Sequence, residues 1–427
     1  MLPLVHVGRK SLDDYASLVS RGLMEEVRRL AEPLQGTRVL HVSATAFGGG
    51  VAEINYTLVP LMADVGLEVE WRIIHGTDEF FNVTKAIHNG LQGDSRSLTA
   101  AECETFAGYN AANAKQFRPE DYDVVIVHDP QPSAVIDSFP AGVVKWVWRG
   151  HIDFSAPNPD VIDLLLPSLR RYDAAVFHMR GYAPAAPGLP DLYIWPPAID
   201  PLAPKNMALS SEDAAYIVDQ FGIDVERPLL IQVSRFDPWK DPLGVIDAYR
   251  AVKARFPATQ LALVGSMAHD DPEGWEYYSR TVEHADGDPD VHILSNMNNI
   301  GAVEVNAFQV HADATLQKSI REGFGLTVTE ALWKARSTVG GRVGGIVAQI
   351  TDGETGWLVD SAEHCAGARI EILRDPREGR VRALKGKERV RRSFLTPRLL
   401  RDWLTLFNRL LETGVETPEL AMIPASR

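Results

Sequence analysis

The stretch Glu322-Gly-Phe-Gly-Leu-Thr-Val-Thr-Glu330 reads as a glycine-hinged loop that opens an apolar helix and carries two glutamates eight positions apart. Gly323 and Gly325 let the backbone come close to a ligand, and the helix start behind them leaves N–H groups unpaired, which suits an anion. Gly323, Phe324, Gly325 and Leu326 thus form a candidate phosphate seat with the Glu322 carboxylate at its lip. For Glu330 the residues leave two readings: a side chain that faces the ligand, or the returning arm of a capping box begun at Thr327.

Outward from this loop, strand-length apolar runs alternate with helical periodicity. Arg38-Val-Leu-His-Val-Ser43 is a continuous strand that runs into Phe47-Gly-Gly-Gly-Val-Ala-Glu53 and a helix with Val51, Ile54, Leu58, Leu61 and Val65 inward. Gly48, Gly49 and Gly50 therefore stand at a strand's C-terminal end, where open α/β sheets bind ligands, although a tight strand-to-helix turn would use the same residues. Leu67–Ile74 is a second strand, and residues 80–93 form a helix with Val83, Ile87 and Leu91 on one face and Asn82, Lys85 and Asn89 on another. Such a polar face on a single helix is ordinarily solvated. After a helix over 101–117, the strand Asp123–His128 ends in Asp129-Pro-Gln-Pro132, and Val143–Trp148 ends in Arg149-Gly-His-Ile-Asp153.

Ala174–Phe177 and Tyr193–Trp195 close this half, and the proline-rich Pro196–Lys205 marks a stiff crossing. A second series follows, with strands near 229–233, 259–264, 290–294 and 313–316. The alternation predicts an α/β protein of two doubly wound, Rossmann-like domains, residues 1–200 and 201–395. Leu395–Leu411 is a strongly amphipathic helix within a last segment, 396–427, and residues 11–31 read as one amphipathic N-terminal helix.

The 427 residues exceed one ordinary core, which agrees with two domains. With 45% apolar and 23% charged residues, no span long enough for a bilayer and no secretory h-region at the N-terminus, the expectation is a cytoplasmic protein without a membrane partner. A net charge of −14 argues against a general nucleic-acid binder. Cys103 and Cys365 are read as ordinary thiols. Asp121-Tyr-Asp123 and Asp286-Gly-Asp-Pro-Asp290 have metal-like composition without the remaining spacing, so both are read as turns and no metal ligand set is expected.

Strand Leu229–Ser234 leads into Arg235-Phe-Asp-Pro-Trp-Lys240. An Arg and a Lys in one short loop past a strand end can converge on a diphosphate, the first as a planar fork and the second as a point charge. His151, taken alone, reads as a packed or solvated histidine, and the asparagines of Leu294-Ser-Asn-Met-Asn-Asn299 read as a turn.

Ser319-Ile-Arg-Glu-Gly-Phe-Gly-Leu-Thr-Val-Thr-Glu330 resembles the E-x7-E signature of retaining GT-B glycosyltransferases of family 4. That resemblance implies two Rossmann-like domains facing across a deep cleft, an acceptor-binding N-terminal one and a nucleotide-sugar-binding C-terminal one, with the last helix crossing back to the first. It implies that Glu322 holds the donor sugar near its anomeric carbon and that Glu330 binds the ribose. It further implies that Arg235 and Lys240 grip the diphosphate, that the loop of Asn296 cradles the base mostly through backbone, and that His151 stabilises the reacting centre.

The finer resemblance is to the trehalose glycosyltransferring synthases, and more distantly to trehalose phosphorylases. It rests on Ser43–Glu53, Glu79–Lys85, His88–Gly93, His128–Pro132 and Arg149–Asp153. It implies transfer of glucose from UDP- or ADP-glucose to the anomeric hydroxyl of glucose, giving α,α-trehalose with no essential cofactor. Asn82, Lys85 and Asp129 are the candidates for the acceptor hydroxyls. A homodimer is compatible with this reading. Three alternatives stay open on the sequence: a phosphorylase, a hexosyltransferase with another acceptor, and a non-catalytic sugar-nucleotide sensor. One departure is visible, Ser337, where relatives commonly carry a proline before the next strand.

Overall fold

In the computed structural model, which describes residues 1–47, 49–142, 144–267 and 272–423, the chain divides into two units. Unit 1 comprises Met1–Ala198 with Thr396–Arg427, and unit 2 comprises Ile199–Leu395.

Unit 1 is built on strands β1 (Arg38–Ser43), β2 (Glu68–Ile73), β3 (Val124–His128), β4 (Lys145–Arg149), β5 (Ala174–Phe177) and β6 (Asp191–Ile194), all parallel, in the order β6-β5-β4-β3-β1-β2. β3 and β5 are buried at every position, as expected of strands covered on both faces. The helices between them are α1 (Arg21–Ala31), α2 (Gly49–Asp64), α3 (Asp78–Leu91), α4 (Ala100–Ala114) and α5 (Pro159–Leu169). Val83, Ile87 and Leu91 of α3 enter the same core as Val125, Val127 and Trp148.

The single helix predicted over 11–31 is broken. Leu12–Tyr15 is one short 3-10 turn, and α1 starts afresh because the Ser20 hydroxyl accepts from the Leu23 N–H at 3.3 Å. Helical periodicity survives on both sides of the break, so it could not reveal the cap. Asp123 lies one residue before β3 and accepts from the Arg38 N–H and guanidinium at 2.9 Å each, which accounts for it as an ion-pair partner.

Unit 2 has β7 (Leu229–Val233), β8 (Gln260–Val264), β9 (Val291–Leu294), β10 (Ala314–Gln317), β11 (Ser337–Gly341) and β12 (Trp357–Val359) in the order β12-β11-β10-β7-β8-β9, also all parallel. Its helices are α6 (Ser211–Asp219), α7 (Pro242–Lys253), α8 (Pro272–Ala285), α9 (Ala302–His311), α10 (Leu326–Trp333), α11 (Ile346–Gln349), α12 (Ala362–Arg374) and α13 (Pro376–Ser393). Ser337 opens β11 and is buried. In the Asp286–Asp290 turn, Asp288 and Asp290 hold the Lys253 ammonium at 2.7 and 2.8 Å.

The last helix, α14 (Thr396–Leu410), belongs to unit 1, where it buries Leu399, Leu400, Trp403, Leu404, Leu406 and Phe407 and donates from Asn408 to the Leu30 carbonyl at 2.8 Å. Arg398, buried, ties this helix to the carbonyls of Pro196 and Pro197 at 2.9 and 3.0 Å. The short β13 (Met422–Ile423) adds antiparallel to β6. Among the described residues no helix is long and apolar enough to cross a membrane.

Candidate active site

In each sheet one pair of neighbouring strands sends its chain off in opposite directions, and the crevice beyond those C-terminal ends is where doubly wound sheets bind ligands. In unit 2 the pair is β7 and β10; in unit 1 it is β1 and β3.

Past β7 and β10 the two loops singled out in the sequence come together. Lys240 Nζ donates to Glu322 Oε1 and Oε2 at 2.7 and 2.8 Å. Ser319 Oγ adds a bond to Glu322 Oε2 at 3.1 Å, and the Ile320 N–H donates to the Trp239 carbonyl at 2.9 Å. Gln232 Nε2 holds the Lys240 carbonyl at 2.7 Å. Glu322 is thus a carboxylate held by an ammonium with only 8% of its side chain exposed, against 18% for Lys240. Arg235 faces the other way: its guanidinium is 65% exposed and pairs with Asp237 at 3.0 Å. The loop therefore presents one internally engaged cation and one solvent-facing cation. Arg321 lies over the half-exposed Trp239 ring, 5.2 Å from its centroid.

Gly325 adopts φ 80°, a left-handed conformation that frees the chain to turn into α10. Because α10 begins at Leu326, Thr327 lies inside the helix and no side chain caps it. The capping-box reading of Glu330 is therefore wrong: the carboxylate is 1% exposed, pairs with Lys205 at 2.9 Å, and its Oε2 has no partner among the described residues. Lys334 beside it donates to Gln309 Oε1 at 2.8 Å and Asn206 Oδ1 at 3.0 Å, and burial pushes its ammonium down to about 7 against the opposing pull of Glu330. Phe324 is buried against Phe394. Asn296 spends its amide on the main chain of Met267, accepting at 2.7 Å and donating at 3.0 Å.

Around the C-terminal ends of β1, β3 and β4, three histidines stand ring to ring: His41 within β1, His128 at the end of β3 and His151 just after β4. His41 Nδ1 and His128 Nε2 are 3.0 Å apart, and His128 Nδ1 and His151 Nε2 are 2.9 Å apart. His41 and His128 are buried and His151 half-buried. Burial pushes the His41 imidazole down to about 3 and those of His128 and His151 well below the ordinary histidine value, with Arg149 adding to the depression of the last two. The His151 main-chain N–H donates to Asp129 Oδ1 at 2.8 Å. Asp129 itself sits at φ 63°, and its surroundings push the carboxyl up to about 7 by burial. Arg149, buried with its Nη1 unpartnered among the described residues, is lowered to about 9, by burial first and then by Arg398.

Asn82 and Lys85 are exposed on α3. Asn82 lines a groove with Glu79, Asn89, Arg96 and Glu102, and neither Lys85 nor Asp129 is part of that groove. Gly49 and Gly50 begin α2, and Gly48 lies outside the described residues. Among the described residues no group of three His, Cys, Asp or Glu side chains is placed to hold a metal ion.

Several residues that shape these sites escaped the sequence reading. His41 lies in mid-strand, where alternation marks only burial. Gln349 donates to the carbonyls of Phe324 at 2.5 Å and Gly325 at 3.3 Å and accepts from Thr329 Oγ1 at 2.6 Å, moulding the 322–330 loop from behind. Gly341 ends β11 against the same loop: a Cβ there would stand 2.1 Å from the Ser319 carbonyl oxygen. Lys205 falls at the end of the proline-rich crossing, where nothing local signalled a partner. The glycine pair of β11 was the one available hint of close packing.

Two doubly wound sheets, each with its polar groups gathered beyond the strand ends, define the GT-B class of glycosyltransferase. Residues 41–184 match the family model described as trehalose synthase, N-terminal domain, and residues 215–389 match that of glycosyl transferases group 1. Over 96% of this chain and the whole of the relative, the sequence is 57% identical to trehalose synthase of Rubrobacter xylanophilus. It is 44% identical to trehalose synthase of Pyrococcus horikoshii over 94% of this chain and 97% of that one. The chain belongs to the trehalose synthase family and is a glycosyltransferase of trehalose chemistry. In fold it is similar to the UDP-forming α,α-trehalose-phosphate synthase of Burkholderia xenovorans, solved in complex with glucose-6-phosphate, with a TM-score of 0.66 at 16% identity over 89% of this chain and 100% of that one.

Proposed function

We propose that the protein transfers glucose from a nucleoside diphosphate glucose, UDP- or ADP-glucose, to the anomeric hydroxyl of free glucose, with retention, to give α,α-trehalose. The observation that carries this reading is the Lys240–Glu322 pair past the β7/β10 switch point, in a chain of the trehalose synthase family. Lys240 and Arg235 stabilise the departing diphosphate, on which negative charge grows as the glycosidic bond stretches. Glu322 steadies the hexose, Glu330 the ribose, and the main chain of residues 323–326 the phosphates, while the loop of Asn296 takes the base. Asp129, Asn82 and Lys85 serve the acceptor, and His151 acts at the reacting centre.

The step is a same-face displacement. The bond from the anomeric carbon to the diphosphate oxygen breaks, the bond to the acceptor oxygen forms, and the acceptor's hydroxyl proton passes to the departing diphosphate. Glu322 is engaged by Lys240, which suits an electrostatic role and argues against a nucleophile as in glycosidases. No cofactor enters this scheme.

Incubation with each glucose nucleotide plus glucose, read by NMR for the linkage formed, tests the proposal. A symmetric non-reducing disaccharide and free nucleoside diphosphate are expected. Trehalose made from glucose 1-phosphate without any nucleotide would establish a phosphorylase instead.

A further inference from the structure

The three imidazoles of unit 1 form a continuous line. The two ring contacts are stacked, with centroids 5.2 and 5.3 Å apart and planes tilted by 20° and 18°, and the nitrogen separations of 3.0 and 2.9 Å are hydrogen-bond distances. A neutral imidazole has one N–H and one bare nitrogen, so two contacts among three neutral rings admit two arrangements running in opposite directions. In one, every ring donates toward His41 and the last proton rests on His41 Nε2. In the other, every ring donates toward His151 and the last proton rests on His151 Nδ1.

One observation selects the second. His41 Nε2 is fully buried and has no partner among the described residues. The first arrangement would strand an N–H there, and stranded buried N–H groups are the rarer fault. At the other end, Asp129 Oδ1 accepts from the His151 main-chain N–H at 2.8 Å. The carboxyl is thus tied to the main chain of the residue whose Nδ1 carries the last proton in the second arrangement.

We propose that His41 and His128 are positioning residues that donate in series toward His151, fixing it as a neutral ring whose Nδ1 carries the proton and whose Nε2 accepts. The line ends in a buried nitrogen without a partner among the described residues, so none of them relays a proton beyond His41. It locks a tautomer, and His151 serves the reaction as a hydrogen-bond donor of constant charge, not as a general base. The use of His151 in the reaction rests on the proposed function; the tautomers themselves do not.

Two-bond proton–nitrogen correlation spectra of the full chain labelled with [15N]histidine test the proposal without turnover. Single-residue His→Gln variants assign the signals. The expected result at pH 7 is a protonated Nδ1 and a bare Nε2 on all three rings. A protonated Nε2 on His151, an imidazolium, or averaging over both nitrogens would overturn it. In kinetics, His128→Leu is expected to lower kcat about tenfold, the size of one lost hydrogen bond, with KM nearly unchanged. His128→Asn keeps an amide donor at the Nδ1 position and is expected to regain most of that loss. Equal losses in both variants, or a change confined to KM, would also overturn it. If the spectra show the expected tautomers and the protein makes no trehalose from nucleotide glucose, the proposed function fails and the tautomer lock stands.

Discussion

At the switch point of unit 1 the titratable side chains are sunk among aromatic rings and pushed toward neutrality; at that of unit 2 an ammonium and a carboxylate from two different loops, Lys240 and Glu322, are paired directly. Burial lowers His41, His128 and His151 and raises Asp129, so each moves toward its uncharged form. Lys240 and Glu322 keep opposite charges in contact at 2.7 Å. The same sheet architecture thus gives one crevice of shape and hydrogen bonding and another of charge. Under the proposed function, the first would take the neutral sugar and the second the sugar diphosphate.

The largest effect should come from breaking the charged crevice. Lys240→Ala is expected to cost on the order of 100-fold or more in kcat/KM, and about 3 kcal/mol of stability, because it takes the ammonium away from the mostly buried Glu322 carboxylate. Steady-state assays and urea unfolding measure the two losses. Glu322→Gln should match it in activity with a smaller loss of stability, since the neutral amide no longer needs the ammonium; equal destabilisation in both variants would contradict the buried-pair account.

Next comes the packing behind that crevice. Gly341→Ala places a methyl group 2.1 Å from the Ser319 carbonyl, so the loop must shift, with an expected cost of about 1–3 kcal/mol and a matching fall in turnover. A variant with wild-type melting and activity would show that the loop moves freely.

The neutral crevice predicts a pH signature. The folded Asp129 carboxyl is raised to about 7, so between the ordinary aspartate range and pH 7 the native state holds a proton that the unfolded chain releases. Its contribution to stability is full below about pH 4 and is lost as pH rises through about 7. Asp129→Asn should flatten that slope in urea unfolding measured across the window, and should weaken glucose binding while nucleotide binding stays intact. The smallest change in stability belongs to Arg235→Ala: its exposed pair with Asp237 is worth about 0–1 kcal/mol, so activity should fall with almost no shift in melting.

The alternation of strands and helices in both halves and the Glu322 loop were legible because buried parallel strands are continuous apolar runs and because paired glycines just before an apolar helix mark a tight turn or a close backbone approach. The break at Ser20 was not, since a cap interrupts a helix without disturbing its periodicity. The fate of Glu330 was undecidable from Thr327 alone; it turned on where α10 begins, and that follows from the left-handed Gly325. His41, Lys205 and Gln349 were invisible because each acts through a partner far away in sequence, 87, 125 and 25 positions respectively.

Unit 1 is assembled from two pieces of chain separated by all of unit 2, and Arg398 clasps the carbonyls of Pro196 and Pro197 to join them. During synthesis the ribosome therefore makes every residue of unit 2 before it makes the helix that seals unit 1. The unit begun first is finished last, and until residues 396–410 emerge, the apolar surface that waits for Trp403 and Phe407 is exposed to other chains and to chaperones.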